Sequence, residues 1–189
     1  GQVAVQNTSF SDGVDQVRQS ALAAALQTRK GSRIPWGRKS YFDRRAFDAD
    51  LQRIEAFYRD RGFPDARVTS FDATLNETQT DVDVTVNISE GEPIRVAAIE
   101  LTGFDVLPDG DRDELRQALP LQPGRPLDRQ LALVSRERAL NALRDNGYPY
   151  AAVMLTENEA GTKQREVVLA ATPGTLAHFG PVEIVGEAS

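Results

Sequence analysis

The sequence predicts an α+β protein built of tandem β-α-α-β-β modules, each a three-stranded mixed sheet with two helices on one face. Three observations carry this prediction. "AFYRDRGFPDARV" at residues 56–68 returns as "LRDNGYPYAAV" at 143–153, where Gly147, Tyr148, Pro149, Ala151 and Val153 fall on Gly62, Phe63, Pro64, Ala66 and Val68. "IRVAAIELTGF" (94–104) is echoed by "HFGPVEIVGEAS", with Val182, Ile184 and Gly186 on Ile99, Leu101 and Gly103, while "GQVAVQN" at the start places Val3, Val5 and Asn7 in the same register. Between these markers the apolar periodicity changes from helical to alternating. An internal period of this size decides the architecture. The unit begins three times and finishes twice, so the expected modules are 1–92 and 93–176, with 177–189 the first strand of a truncated further module.

Each element follows in order. After the opening strand, Val14, Val17, Ala21 and Leu22 recur at helical spacing from Asp12 or Gly13 to about Thr28. A second helix is expected from about Arg45 to Arg61, with Phe47, Leu51, Ile54 and either Phe57 or Tyr58 on one stripe. Gly62 ends it: a glycine there adopts the left-handed C-cap conformation, Phe63 folds back on the last turn and Pro64 forbids continuation. Alternation through Val68, Ser70 and Ala73, then Val82, Val84, Val86 and Ile88, brackets the polar "NETQT" as a hairpin. The second unit repeats the order: strand 94–102, a short helix near Asp111 to Ala118, a longer one from Leu127 to Asn146, then strands near Ala151 to Glu157 and Glu166 to Ala171. Three strands cannot cover themselves, so both helices pack on one sheet face. The hairpin pairs the second strand with the third, and the first takes the third's other flank, leaving the second as an edge.

Composition sets the outer bounds. The 189 residues are 40% hydrophobic and 26% charged, enough for one medium core or two small ones, and the repeat favours two. No apolar run approaches the roughly 18 to 20 residues of a membrane helix, and the start lacks a signal peptide's basic and apolar regions. The piece is expected to be soluble as it stands and to be a fragment, since Gly1 is compatible with a cloning scar. Without Cys, disulfides, thiolate nucleophiles and Cys-ligated metals are excluded. A net charge of -6 argues against general nucleic-acid binding, which needs a basic footprint.

The order β-α-α-β-β, the helix closure "FDADLQRIEAFYRDRGFPDARV", the exit "ISEGEPIRVAAIELTGF", and the second copy "RERALNALRDNGYPYAAV" with exit "TPGTLAHFGPVEIVG" resemble tandem POTRA (polypeptide-transport-associated) domains. They look most like those preceding the barrel of the BamA/TamA superfamily of bacterial outer-membrane assembly proteins. The resemblance implies a periplasmic, non-enzymatic arm, the soluble part of an outer-membrane protein whose barrel is not in this sequence. Unfolded outer-membrane or secreted polypeptides are then the expected clients, with accessory assembly subunits and an anionic membrane surface as further partners. The stretch "SRIPWGRKSYFD" departs from the shorter inter-helix link of the second unit, leaving BamA-like, TamA-like and secretion-partner relatives open.

Two candidate sites emerge. The second strands, centred on Arg67, Val68, Thr69, Ser70 and Phe71 and on Ala152, Val153, Met154 and Leu155, are edges to which an extended segment can add through backbone hydrogen bonds. The alternative is that these edges are only short, charged and protected, as "TENEA" after Leu155 suggests. The other candidate is the basic, aromatic stretch from Arg29 to Arg45, with Arg33, Trp36, Arg38, Lys39 and Tyr41, which reads either as a loop meeting anionic headgroups or an acidic partner, or as a solvated inter-helix loop. An enzyme is disfavoured: His178 is the sole histidine, there is no Gly-rich phosphate loop, and nothing organises the acidic pairs Asp48 with Asp50 or Glu90 with Glu92. "DVLPDGDRDE" lacks EF-hand spacing and reads as a turn capping the helix near Asp111. "SEGEP" and "ATPG" read as inter-module hinges. No cofactor and no metal are expected.

Overall fold

The computed structural model describes residues 4–10, 44–75, 81–178 and 180. The chain divides into two compact units, Gly1–Ile94 and Arg95–Ser189.

The first unit contains β1 (Ala4–Phe10), α1 (Arg44–Asp60), β2 (Arg67–Leu75) and β3 (Asp81–Ser89). The expected helix from Asp12 to Thr28, the stretch 29–43 and the turn "NETQT" lie outside the described residues. Strand order is β1-β3-β2, with β1 parallel and β2 antiparallel to β3, so β2 is an edge and the sheet is mixed. Helix α1 begins at Arg44, taking Arg44 and Arg45 out of the expected basic loop. Its apolar stripe is resolved in favour of Tyr58: Phe47, Ile54 and Tyr58 are buried against Val84, Val86 and Ile88 of β3, while Leu51 and Phe57 are half-buried beside them. Side chains of this size contribute about 1.5 to 3 kcal/mol each on burial. The Tyr58 hydroxyl faces the buried Glu90 carboxylate; burial first, and the charge of Glu90 second, hold its pKa well above the usual tyrosine range.

The second unit contains β4 (Arg95–Thr102), α2 (Asp109–Ala118), α3 (Arg129–Asp145), β5 (Ala152–Gly161) and β6 (Gln164–Thr172), in strand order β4-β6-β5 with the same mixed pairing. Leu115 of α2 and Ala139 and Leu143 of α3 share a core with Val153 and Leu169, placing both helices on one sheet face. Two boundaries depart from expectation. Helix α2 opens at Asp109 behind Pro108, with no side-chain cap; Asp105 and Asp109 instead engage Arg112, and Asp109 and Asp111 complement the helix dipole from the first turn. Helix α3 starts two residues later than Leu127 because Asp128 is its N-cap, accepting the N–H groups of Gln130 (2.7 Å) and Leu131 (3.2 Å).

The repeated motif builds the same turn twice. Gly62 has φ +90° and Gly147 φ +89°. Phe63 N–H donates to Tyr58 O (3.0 Å) and Gly62 N–H to Arg59 O (3.1 Å); Tyr148 N–H donates to Leu143 O (3.1 Å) and Gly147 N–H to Arg144 O (3.0 Å). Both are the paired bonds of a glycine-terminated helix that needs a left-handed residue at this position. The Phe63 ring then packs edge-on against Tyr58, 5.9 Å between centroids. Each glycine carbonyl also receives the chain leaving its unit: Ile94 N–H donates to Gly62 O (2.7 Å) and Ala177 N–H to Gly147 O (2.8 Å).

Candidate functional site

Both sheets expose their second strand along one side, but the two edges differ. In β2 the register shifts between Val68 and Ser70, so Thr69 is an extra residue on that strand. Thr69 Oγ1 donates to Asn87 O (3.1 Å) and Asn87 Nδ2 donates to Ser70 Oγ (2.8 Å), fixing the irregular segment. The side chains of Arg67, Thr69 and Ser70 are exposed, Val68 is half-buried, and Phe71 packs on Phe47 with ring centroids 5.0 Å apart. A groove of about 500 Å³ runs between this strand and α1, lined by Leu51, Gln52, Glu55, Val68, Thr69, Ser70 and Phe71. At its mouth Glu55 Oε1 accepts the Val68 N–H at 3.2 Å.

Strand β5 is straighter and longer. Its register with β6 runs unbroken from Ala152 to Glu159 and shifts only before Gly161. Val153 is buried and Leu155 half-buried on the helix side, Ala152 and Met154 are exposed on the other face, and Met154 keeps 68% of its surface in solvent. The strand continues to Gly161 rather than ending near Glu157, so "TENEA" belongs to it. The opposite edge of this sheet is partly closed: Val96 N–H donates to Arg125 O (2.9 Å) and Gly124 N–H to Val96 O (2.7 Å), so the α2–α3 loop covers the start of β4. That loop is tied down by Ser135 Oγ, which accepts the buried Leu121 N–H at 3.0 Å.

The remaining sequence candidates are dispersed. Arg33, Trp36, Arg38, Lys39 and Tyr41 lie outside the described residues. Asp48 is exposed whereas Asp50 is buried in an ion pair with Arg53 (2.6 Å); Glu90 is buried and Glu92 exposed. His178 is exposed. Among the described residues, no group of three or more His, Cys, Asp or Glu side chains is placed to hold a metal ion, and no helix is long and apolar enough to cross a membrane. Gly91 and Gly174 have positive φ, +70° and +74°. Residues 181–189, the main part of the expected third-module strand, lie outside the described residues, and 173–178 form no strand.

Sequence reading by periodicity missed Glu55, the groove beside it and the loop that closes β4. The repeat held the signal for the first: placing Gly62 on Gly147 sets Glu55 on Leu140, which packs against the core of its own unit.

A mixed sheet with helical packing on one face and an open second strand, occurring twice in one chain, defines a tandem-repeat α+β protein whose accessible feature is a strand edge. The family model for POTRA, described as a surface antigen variable number repeat, matches residues 3–91 and again 94–173. The chain belongs to the POTRA family, with two consecutive copies of the domain. Among its relatives is the outer membrane protein assembly factor BamA of Neisseria meningitidis serogroup B, 25% identical over 151 residues, an alignment that covers 79% of this chain and 19% of that protein. The chain thus spans about a fifth of that relative's length. Similar solved structures include Haemophilus influenzae BamA POTRA3-5 (22% identity, TM-score 0.44, 93% of this chain and 68% of that one). Another is the N-terminal domain of Omp85 from Thermosynechococcus elongatus (20% identity, TM-score 0.43, 92% and 64%).

Proposed function

We propose that this chain is part of the periplasmic arm of an outer-membrane protein assembly or translocation factor. Its open strands receive extended segments of unfolded outer-membrane or secreted polypeptides by β-augmentation and guide them toward a membrane β-barrel. The observation that carries the reading is the edge position of β2 and β5, each paired, among the described strands, only with the central strand of its sheet. Each backbone bond made by an added strand contributes about 0.5 to 1.5 kcal/mol, so a few such bonds give weak, sequence-tolerant capture. Such capture suits varied unfolded clients and requires no catalytic group. In the same reading, residues 1–92 and 93–176 are the functional modules and 177–189 opens another.

A second reading, a docking arm for an accessory protein, has one observation of its own. A groove of about 640 Å³ between α2 and α3 includes Asp111, Glu114, Glu137 and Asp145 over Leu115 and Val134. An NMR titration of the isotope-labelled chain with short peptides taken from outer-membrane β-strands tests the first reading. Shifts concentrated on 67–75 or 152–161 are expected. Silence there, with shifts on 29–45 when anionic lipid vesicles are added, would turn the assignment to a membrane-docking spacer.

A further inference from the structure

The groove beside β2 has a chemical preference, which rests on the strand-addition reading above. We infer that it selects an extended segment that sets an apolar side chain against Leu51 and Phe71 and, two positions along on the same face, a cationic side chain against Glu55.

The fold itself does not require a carboxylate at this helix position. Leu140 occupies the position equivalent to Glu55 in the second unit and, half-buried, packs against the core there, so the helix tolerates an apolar residue at this site and a carboxylate has no general structural role. Glu55 is nevertheless half-buried, and among the described residues its carboxylate accepts one bond, from Val68 N–H. Among the described residues, the cations near it on α1 are directed elsewhere. Arg53 is held by Asp50 at 2.6 Å. Arg61 lies over the Phe57 ring, 3.4 Å from its centroid, and donates to Phe57 O. Arg59, one turn on, makes no ion pair with Glu55. A partly desolvated carboxylate in this position gains more from an incoming cation than a fully solvated one does, because charge-assisted hydrogen bonds strengthen as water is excluded.

The spacing comes from the bulge. Val68 pairs with Ile88 and Phe71 with Val86, so residues three apart on β2 stand opposite residues two apart on its neighbour. Thr69 absorbs the difference and leaves Val68 and Phe71 both turned toward α1, where they line the groove together. A regular strand laid along the outer side of β2 alternates its side chains with a period of two. It therefore meets the Phe71 and Leu51 end with one side chain and the Val68 and Glu55 end with the next on that face. To complete its hydrogen bonds that strand must also take the Val68 N–H from Glu55, which frees the carboxylate for the cation.

The test uses the whole chain and blocked nine-residue peptides of alternating polar and apolar residues. In these a Leu is followed, or preceded, two positions away by Lys, Gln or Glu, so that both strand directions are covered. Binding is read from the amide shifts of Val68, Ser70 and Phe71. The Lys peptide is expected to bind about tenfold more tightly than its Glu counterpart, with the preference shrinking as salt is raised. Glu55→Gln, which is nearly isosteric, and Glu55→Leu, which installs the second unit's residue, are each expected to remove the preference while retaining the fold. Equal binding of all three peptides to β2 overturns the inference and leaves strand addition standing. A preference that survives both substitutions overturns it as well. Absence of any shift on β2 with every peptide overturns the inference, and absence of shifts on β5 as well refutes the reading beneath it.

Discussion

Replacing Ser135 with alanine tests how the α2–α3 loop is held. Ser135 is 1% exposed and Leu121 fully buried, and the 3.0 Å bond from Leu121 N–H to Ser135 Oγ is enclosed. Removing the hydroxyl leaves an amide that neither protein nor bulk water can satisfy, which costs about 1 to 3 kcal/mol. The same loop presents Gly124 and Arg125 to Val96, so the loss appears at the β4 edge as well as at Leu121. Native-state hydrogen exchange is the assay: the Leu121 and Val96 amides should exchange roughly five- to hundredfold faster in Ser135→Ala, and urea unfolding of the second unit should move by the same free energy. Gln122→Ala is the contrast. It removes a bond to Leu119 O (2.7 Å) that is only partly buried, so the loss should stay near the net value of an ordinary hydrogen bond, about 1 kcal/mol. If Ser135→Ala leaves both amides as protected as before, the loop is held by packing alone and the reasoning fails.

Two further perturbations follow from the geometry. Burial and the neighbouring Glu90 raise the folded-state pKa of Tyr58 above its unfolded value. Its contribution is therefore intact below about pH 10 and is lost as pH rises further, because the unfolded chain releases its proton first; the slope is at most about 1.4 kcal/mol per pH unit. Urea unfolding between pH 8.5 and 11 should show that slope in the wild type and a shallower one in Tyr58→Phe; equal slopes would refute the assignment. Asp128→Ala removes both bonds of the α3 N-cap and should destabilise the second unit by about 1 kcal/mol in thermal unfolding, whereas Asp128→Asn should recover most of the loss.

Much of the fold was legible because its punctuation is chemically forced. A glycine at φ near +90° after a helix, followed by an aromatic residue and a proline, has few other uses, and finding it twice located both helix ends and both edge strands. Strand β5 was read too short for a definite reason. Beyond Leu155 its residues are exposed on both faces, so the inside-outside alternation that reveals a strand is absent, and only its pairing with β6 extends it to Gly161. The start of α2 was misjudged because aspartates suggested a side-chain cap, whereas Pro108 takes that position and the acids pair with Arg112. The candidate site was half legible. Edge position follows from strand order, but the groove depends on one inserted residue, Thr69, and on Glu55, whose significance shows only against Leu140. The closure of β4 by Gly124 and Arg125 rests on a loop conformation that no local pattern announces.

The bonds from Ile94 to Gly62 and from Ala177 to Gly147 mean that each unit carries its own outgoing anchor inside the turn that ends its long helix. A copy of the unit brings that anchor with it. Cutting or grafting between Ile94 and Arg95 separates two self-terminated blocks, which makes this junction the natural seam for lengthening or shortening the chain by whole modules.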